Sequence, residues 1–112
     1  MYNKRKIGKM GEDIVAKRYE NNGYKICQQN FSTQFWEIDI IVSDKNYIIF
    51  VEVKDVTHTN FLHDYISHIK LKNVQVTASI YYDINKESRL MQFDFVFIKN
   101  KIIKEMIRDV AF

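Results

Sequence analysis

Apolar positions recur at helical spacing early in the chain and at strand spacing soon after. Ile7, Met10, Ile14, Val15 and Tyr19 fall on one side of a helix, which predicts α-structure over 6–22. "NNG" at 21–23 ends it. Gly23 suits the left-handed position just past the last turn. "YKICQQNF" then reads as a strand, "WEIDIIV" at 36–42 as a second and "YIIFVEVK" at 47–54 as a third. "SDKN" joins the last two as a tight turn. A less ordered stretch, "DVTHTN", follows. Leu62, Tyr65, Ile66, Ile69, Val76, Ala78, Ile80 and Tyr81 form a rough apolar stripe, predicting a second helix over 61–84. "MQFDFVFI" at 91–98 is a fourth strand, and "KIIKEMI" a fifth, at an edge. The order α-β-β-β-α-β-β predicts an α/β fold, with a mixed central sheet flanked by helices.

Length and composition narrow the class. With 112 residues, 46% of them hydrophobic, no proline and no repeat, the chain suits a single domain spanning 1–112. No apolar run approaches the roughly 20 residues that span a bilayer, so no membrane role is expected. Basic residues open the chain without an apolar segment behind them, so no secretory signal is read. Cys27 is the single cysteine; no internal disulfide can form, and a reducing, cytoplasmic setting is expected, with Cys27 as a structural thiol. The net charge of +3 is compatible with a polyanion and equally with plain solubility. Basic residues cluster at Lys4, Arg5, Lys6 and Lys9, at Lys70 and Lys72, and again from Lys99 to Arg108.

The third strand raises a chemical question. "YIIFVEVK" is apolar on both faces until Glu52 and Lys54 interrupt it, and buried charges are costly unless paired or bound to an ion. With Lys45 and Asn46 as the turn pair, Asp39 falls opposite Glu52 and Glu37 opposite Lys54. Directly opposed residues have Cβ atoms about 4.5–5.5 Å apart. Period-two alternation puts Glu37, Asp39, Glu52 and Lys54 on one face, and Ile38, Ile40, Val51 and Val53 on the other. Opposed carboxylates repel; a divalent cation between them removes the conflict, and hard carboxylate oxygens suit Mg²⁺ or Mn²⁺. A lysine alongside would hold a phosphate oxygen or help activate water, the needs of phosphodiester hydrolysis. The plainer alternative is a solvated hairpin end with a Glu37–Lys54 surface pair.

Glu12 lies at the border of the first helix's apolar stripe, beside Val15 and Tyr19. A helix packed on the hairpin would aim it at the same cluster; otherwise it is an ordinary exposed glutamate. His58, His63 and His68 lack the i, i+4 spacing of a helical metal pair and read as surface or partly buried residues.

The stretch "IGKMGEDIVAKRYENNGYKICQQNF", with "EIDIIV" and "YIIFVEVK" after it, resembles the YraN-like family of small bacterial proteins. Gly8, Gly11, Glu12 and Ala16 match its opening pattern, "GY" at 23–24 and "NF" at 30–31 the next. "EID" at 37–39 and "FVEVK" at 50–54 are the most specific pieces. "FDFVFI" at 93–98 and the final "AF" also fit. That family belongs to the PD-(D/E)xK nuclease superfamily, similar in fold to archaeal Holliday-junction resolvases. The resemblance implies a restriction-endonuclease-like α-β-β-β-α-β core. It implies a metal-dependent DNA endonuclease using Mg²⁺ or Mn²⁺, with double-stranded or branched DNA as partner. By the same resemblance Asp39, Glu52 and Glu12 are the metal-site acids and Lys54 the catalytic lysine. Lys70 or Gln75 would reach the site from the second helix.

The chain departs from the family pattern in three places. Trp36 stands where the family usually has glycine before "EID", Asp55 follows Lys54, and the second helix carries only Lys70 and Lys72 as bases. Trp36 is expected to close over the site or stack on a base, or simply to pack. Lys9, Trp36, Lys70, Lys72 and Gln75 are the candidate contacts to nucleic acid. The departures leave open a binding or assembly module that keeps the fold without cutting. The aromatic fourth strand and exposed edge leave open a homodimer.

Overall fold

The computed structural model of the chain describes the backbone of residues 4–57 and 68–111 and the side chains of 9–57 and 70–111. Helix α1 (Lys4–Asn21) leads into strands β1 (Lys25–Ser32), β2 (Glu37–Ser43) and β3 (Tyr47–Asp55). Helix α2 (His68–Ile84) then crosses to β4 (Leu90–Lys99) and β5 (Ile102–Ile107). The five strands form one sheet in the order β1-β2-β3-β4-β5. Neighbours are antiparallel except β3 and β4, which run parallel. The mixed sheet and the α-β-β-β-α-β order are those expected.

Local chemistry explains the boundaries. Gly23, at φ 93°, ends α1: its N–H donates to the Glu20 carbonyl and the Tyr24 N–H to the Tyr19 carbonyl, a left-handed helix stop. In the β2–β3 turn, Asp44 Oδ1 accepts the Asn46 and Tyr47 N–H groups, each at 2.8 Å. That fixes Lys45 and Asn46 as the turn pair and sets the register Ile40↔Val51 to Ser43↔Ile48, as expected from sequence. Asn100 and Lys101, both at positive φ, make the two-residue turn between β4 and β5.

The sheet buries a core on each face. Val15 and Tyr19 of α1 pack with Ile40, Val42, Ile49, Val51, Val96 and Ile98. Val74, Ala78 and Tyr81 of α2 pack with Ile41, Ile48, Phe50 and Phe93 on the opposite face. The result is three layers, helix on sheet on helix.

Three details differ from the sequence reading. Met10, assigned to the buried stripe of α1, is exposed; the inward positions are Gly11, Val15 and Tyr19, spaced by four. On α2 the buried face is Val74, Thr77, Ala78 and Tyr81, while Val76 and Ile80 are half-buried; the start of the expected helix, with Leu62, His63, Tyr65 and Ile66, lies outside the described residues, as does His58 before it. Ile38 packs under α2 with Ile41 and Phe50 and not beside Ile40. Asn30, left-handed at φ 56°, sits between the pairs Gln29↔Ile40 and Phe31↔Ile38, opposite Asp39, and interrupts the pleat there.

Candidate functional site

The cluster forms where the β2–β3 ladder ends. Past Ile40↔Val51, the next position on β2 is Asp39, and its side chain takes over from the main chain: Asp39 Oδ2 accepts the Val53 N–H at 2.7 Å. On its other side β3 stays paired with β4 as far as Asp55↔Ile98. The strand is therefore held by β4 through Glu52 and Lys54, while its regular pairing with β2 has ended.

Glu52 is 6% exposed. Its Oε2 accepts from Trp36 Nε1 at 3.2 Å. Its Oε1 is buried with no hydrogen-bond partner among the described residues. Such an orphan in a charged group is costly unless a proton or a cation occupies the place. Burial pushes Glu52 up to about 7, against the pull of the Trp36 N–H and the Lys70 ammonium. Asp39 rises to about 8, through burial first and the Glu52 charge second. The Val53 N–H opposes that rise, and the nearby Glu12 carboxyl adds to it. The pair is thus short of positive charge, as two converging carboxylates are without a cation.

Glu12 comes to the cluster from α1. It lies near enough to act on Asp39, and its Oε2 accepts from Asn30 Nδ2 at 2.9 Å. Lys54 is half-buried two residues after Glu52. Lys70 is brought in from α2: its Nζ lies 5.8 Å from the Trp36 ring centroid, and burial lowers its pKa against the attraction of Glu52, with Lys54 lowering it further. Lys72 and Gln75 are exposed on the outer side of α2, and Lys9 is exposed on α1. Glu37 turns to Ser32, whose hydroxyl donates to it at 2.8 Å. Asp55 accepts the Thr57 N–H at 2.9 Å and the Thr57 hydroxyl, so it closes a turn after β3.

Sequence reasoning missed Asn30, which holds Glu12, and the Thr33–Thr77 contact that anchors the Trp36 turn. A threonine three residues before Trp36 was the available signal, since a hydroxyl there can accept the turn's N–H groups.

The donor set suits a hard cation. Among the described residues no three of His, Cys, Asp and Glu stand close enough to cage an ion by themselves. Mg²⁺ is commonly held by one or two carboxylates, with water and substrate phosphate completing its shell, and Asp39 and Glu52 meet that need.

Two solved structures share the fold. The fdxN element excision controlling factor protein from Anabaena variabilis aligns with TM-score 0.52 at 12% identity, over 88% of this chain and 98% of its own. An XisH family protein from Nostoc punctiforme aligns with TM-score 0.50 at 13% identity, with the same coverage. Sequence similarity is closer elsewhere. A UPF0102 protein of Persephonella marina is 36% identical over 101 residues, 86% of this chain and 85% of its own. One of Thermodesulfovibrio yellowstonii is 33% identical over 102 residues, 89% of this chain and 91% of its own. One of Caldanaerobacter subterraneus is 38% identical over 85 residues, 69% and 70%. The pattern of the uncharacterised protein family UPF0102 matches residues 11–98, which take in Glu12, Asp39, Glu52 and Lys54, and the chain belongs to that family.

Proposed function

We propose that the protein is a metal-dependent endonuclease hydrolysing phosphodiester bonds in DNA, branched or damaged DNA among its substrates. The observation that carries this reading is the Glu52 carboxyl, buried beside Asp39 with one oxygen unpartnered among the described residues. Most buried side-chain oxygens with a structural role are hydrogen-bonded. The order of elements and the spacing of Asp39, Glu52 and Lys54 support kinship with the PD-(D/E)xK nucleases. Asp39 and Glu52 would hold Mg²⁺ or Mn²⁺. When bound, the cation supplies charge to a phosphoryl oxygen and acidifies water. Lys54 would hold a phosphoryl oxygen or take part in moving the proton. Glu12 would act on the pair through its contact with Asp39, and Lys70 would offset charge from the α2 side. Lys9, Lys72 and Gln75, exposed on the two helices, are the candidates for holding the duplex on either side.

The test is cleavage of labelled four-way-junction, flap and linear DNA with Mg²⁺, Mn²⁺ or EDTA, using wild type and Asp39→Asn. Cutting that requires the cation and disappears in the variant is expected. Cutting that persists in EDTA or in Asp39→Asn overturns the reading. A second reading, a nucleic-acid-binding module that does not cut, draws on the acid Asp55 beside Lys54 and on a second helix whose bases are Lys70 and Lys72. It calls for salt-dependent binding with no cleavage of any of the three DNAs.

A further inference from the structure

Among the described residues one oxygen of Glu52 is gripped and the other is not, and the grip is itself built. The Thr33 N–H donates to the Trp36 carbonyl at 2.9 Å. Thr33 Oγ1 lies 3.1 Å from the Phe35 nitrogen and 3.4 Å from the Trp36 nitrogen, accepting from both. Residues 33–36 therefore close a tight turn. The same hydroxyl lies 2.9 Å from that of Thr77, which is fully buried on α2. The turn is pinned to the helix, and the indole projects across Glu52. Its Nε1–H meets Oε2, while Lys70 lies over the ring.

Packing alone does not account for this. Packing has no need to aim a donor at one oxygen of an acid whose twin has no partner among the described residues. A glutamate has three side-chain torsions to fix before it can serve as a ligand. Here one oxygen is tied to a braced indole, and the other is left where a cation would complete it. The arrangement has the form of a partner that orients a metal ligand.

We propose that Trp36 is a positioning residue: its indole N–H fixes the Glu52 carboxyl so that Oε1 is presented to the cation shared with Asp39. The proposal rests on the metal-site reading above and adds to it a role for Trp36. In this role Trp36 acts through Glu52.

The test uses Mn²⁺ alone, with free Mn²⁺ followed by electron paramagnetic resonance, on wild type, Trp36→Phe, Trp36→Leu and Glu52→Gln. Phenylalanine keeps an aromatic face for Lys70 and removes the donor with part of the indole's bulk, while leucine removes the aromatic face as well. Loss of a partner that orients a ligand weakens metal affinity by about 10-fold or more. That loss is expected in both Trp36 variants, with circular dichroism unchanged. Wild-type affinity in Trp36→Phe, with weakening confined to Trp36→Leu, overturns the proposal and leaves the metal site standing. No Mn²⁺ binding by wild type overturns both. If Trp36→Phe does not fold, the wild-type indole N–H resonance decides, because Trp36 is the single tryptophan. It is expected to move on saturation with Mg²⁺, and an unmoved resonance while Mg²⁺ binds overturns the proposal.

Discussion

The Asp39 carboxylate does the work of a main-chain carbonyl for Val53, accepting its N–H at 2.7 Å where the β2–β3 ladder stops. The acid is therefore a structural acceptor as well as a candidate ligand, and substitutions can separate the two. Asp39→Asn keeps an acceptor for Val53 and removes a charge that repels Glu52. Its metal-free stability in urea is expected to equal or exceed that of wild type at pH 8. Asp39→Ala strands the Val53 N–H and should cost about 1–3 kcal/mol in the same experiment. Equal destabilisation by both substitutions would refute this division.

The same two acids set a pH dependence in the absence of divalent cations. Asp39 is raised to about 8 and Glu52 to about 7, while both titrate near 4 in an unfolded chain. Between those limits the folded protein holds more protons than the unfolded one, so stability falls as pH rises. The protonated pair's contribution is complete below about pH 4 and is lost through pH 7–8. Urea midpoints in EDTA should therefore drop from pH 5 to pH 9, and saturating Mg²⁺ should flatten the curve. A midpoint that climbs over this range in EDTA would contradict the assignment.

A second buried acid behaves differently. Asp94 is fully buried on β4 and meets four donors: the Tyr19 hydroxyl, Arg108 Nε, Gln92 Nε2 and the Asp109 N–H. Arg108 also reaches the Tyr24 hydroxyl at 3.0 Å. This network ties α1, β4 and the segment after β5 into one unit. Asp94→Ala leaves donors and a cation without their acceptor and should cost about 3–5 kcal/mol in urea unfolding. Tyr19→Phe removes one donor of four and should cost about 1 kcal/mol. Mn²⁺ affinity should stay within two-fold of wild type in Tyr19→Phe.

Asp55 is occupied by Thr57. Asparagine forms the same kind of turn, so Asp55→Asn should leave both the urea midpoint and Mn²⁺ affinity close to wild type. A ten-fold loss of Mn²⁺ binding would instead make Asp55 a ligand.

Much of this was legible in the chain because it is local. The Asp39–Glu52 juxtaposition follows from a turn only two residues long, and Asp44 fixes that turn from inside it. Gly23 and the α1 stop are local in the same sense. What escaped the sequence depends on distant partners. "FDF" and "VEV" look alike, each an acid in an apolar strand. Only the fold brings Tyr19, 75 residues away, to one of them and leaves the other half-satisfied. Ile38 was misplaced because period-two alternation assumes an unbroken pleat, and the left-handed Asn30 lies on the neighbouring strand. Trp36 could be read as packing or as stacking; its hydrogen bond to Glu52 depends on a threonine of α2 more than forty residues on.

The parallel pairing of β3 with β4 carries a consequence for biosynthesis. Glu12, Asp39, Glu52 and Lys54 all precede α2, so the ribosome releases every one of them before the strand that covers β3 is made. Until β4 docks, the emerging meander shows an open edge bearing Ile49, Phe50 and Val51, a template for mispairing with other nascent chains. Asp94 arrives on that late strand, and its burial under Tyr19 and Arg108 latches the sheet shut. The acids of the site are thus made early, and the strand that covers β3 is made late.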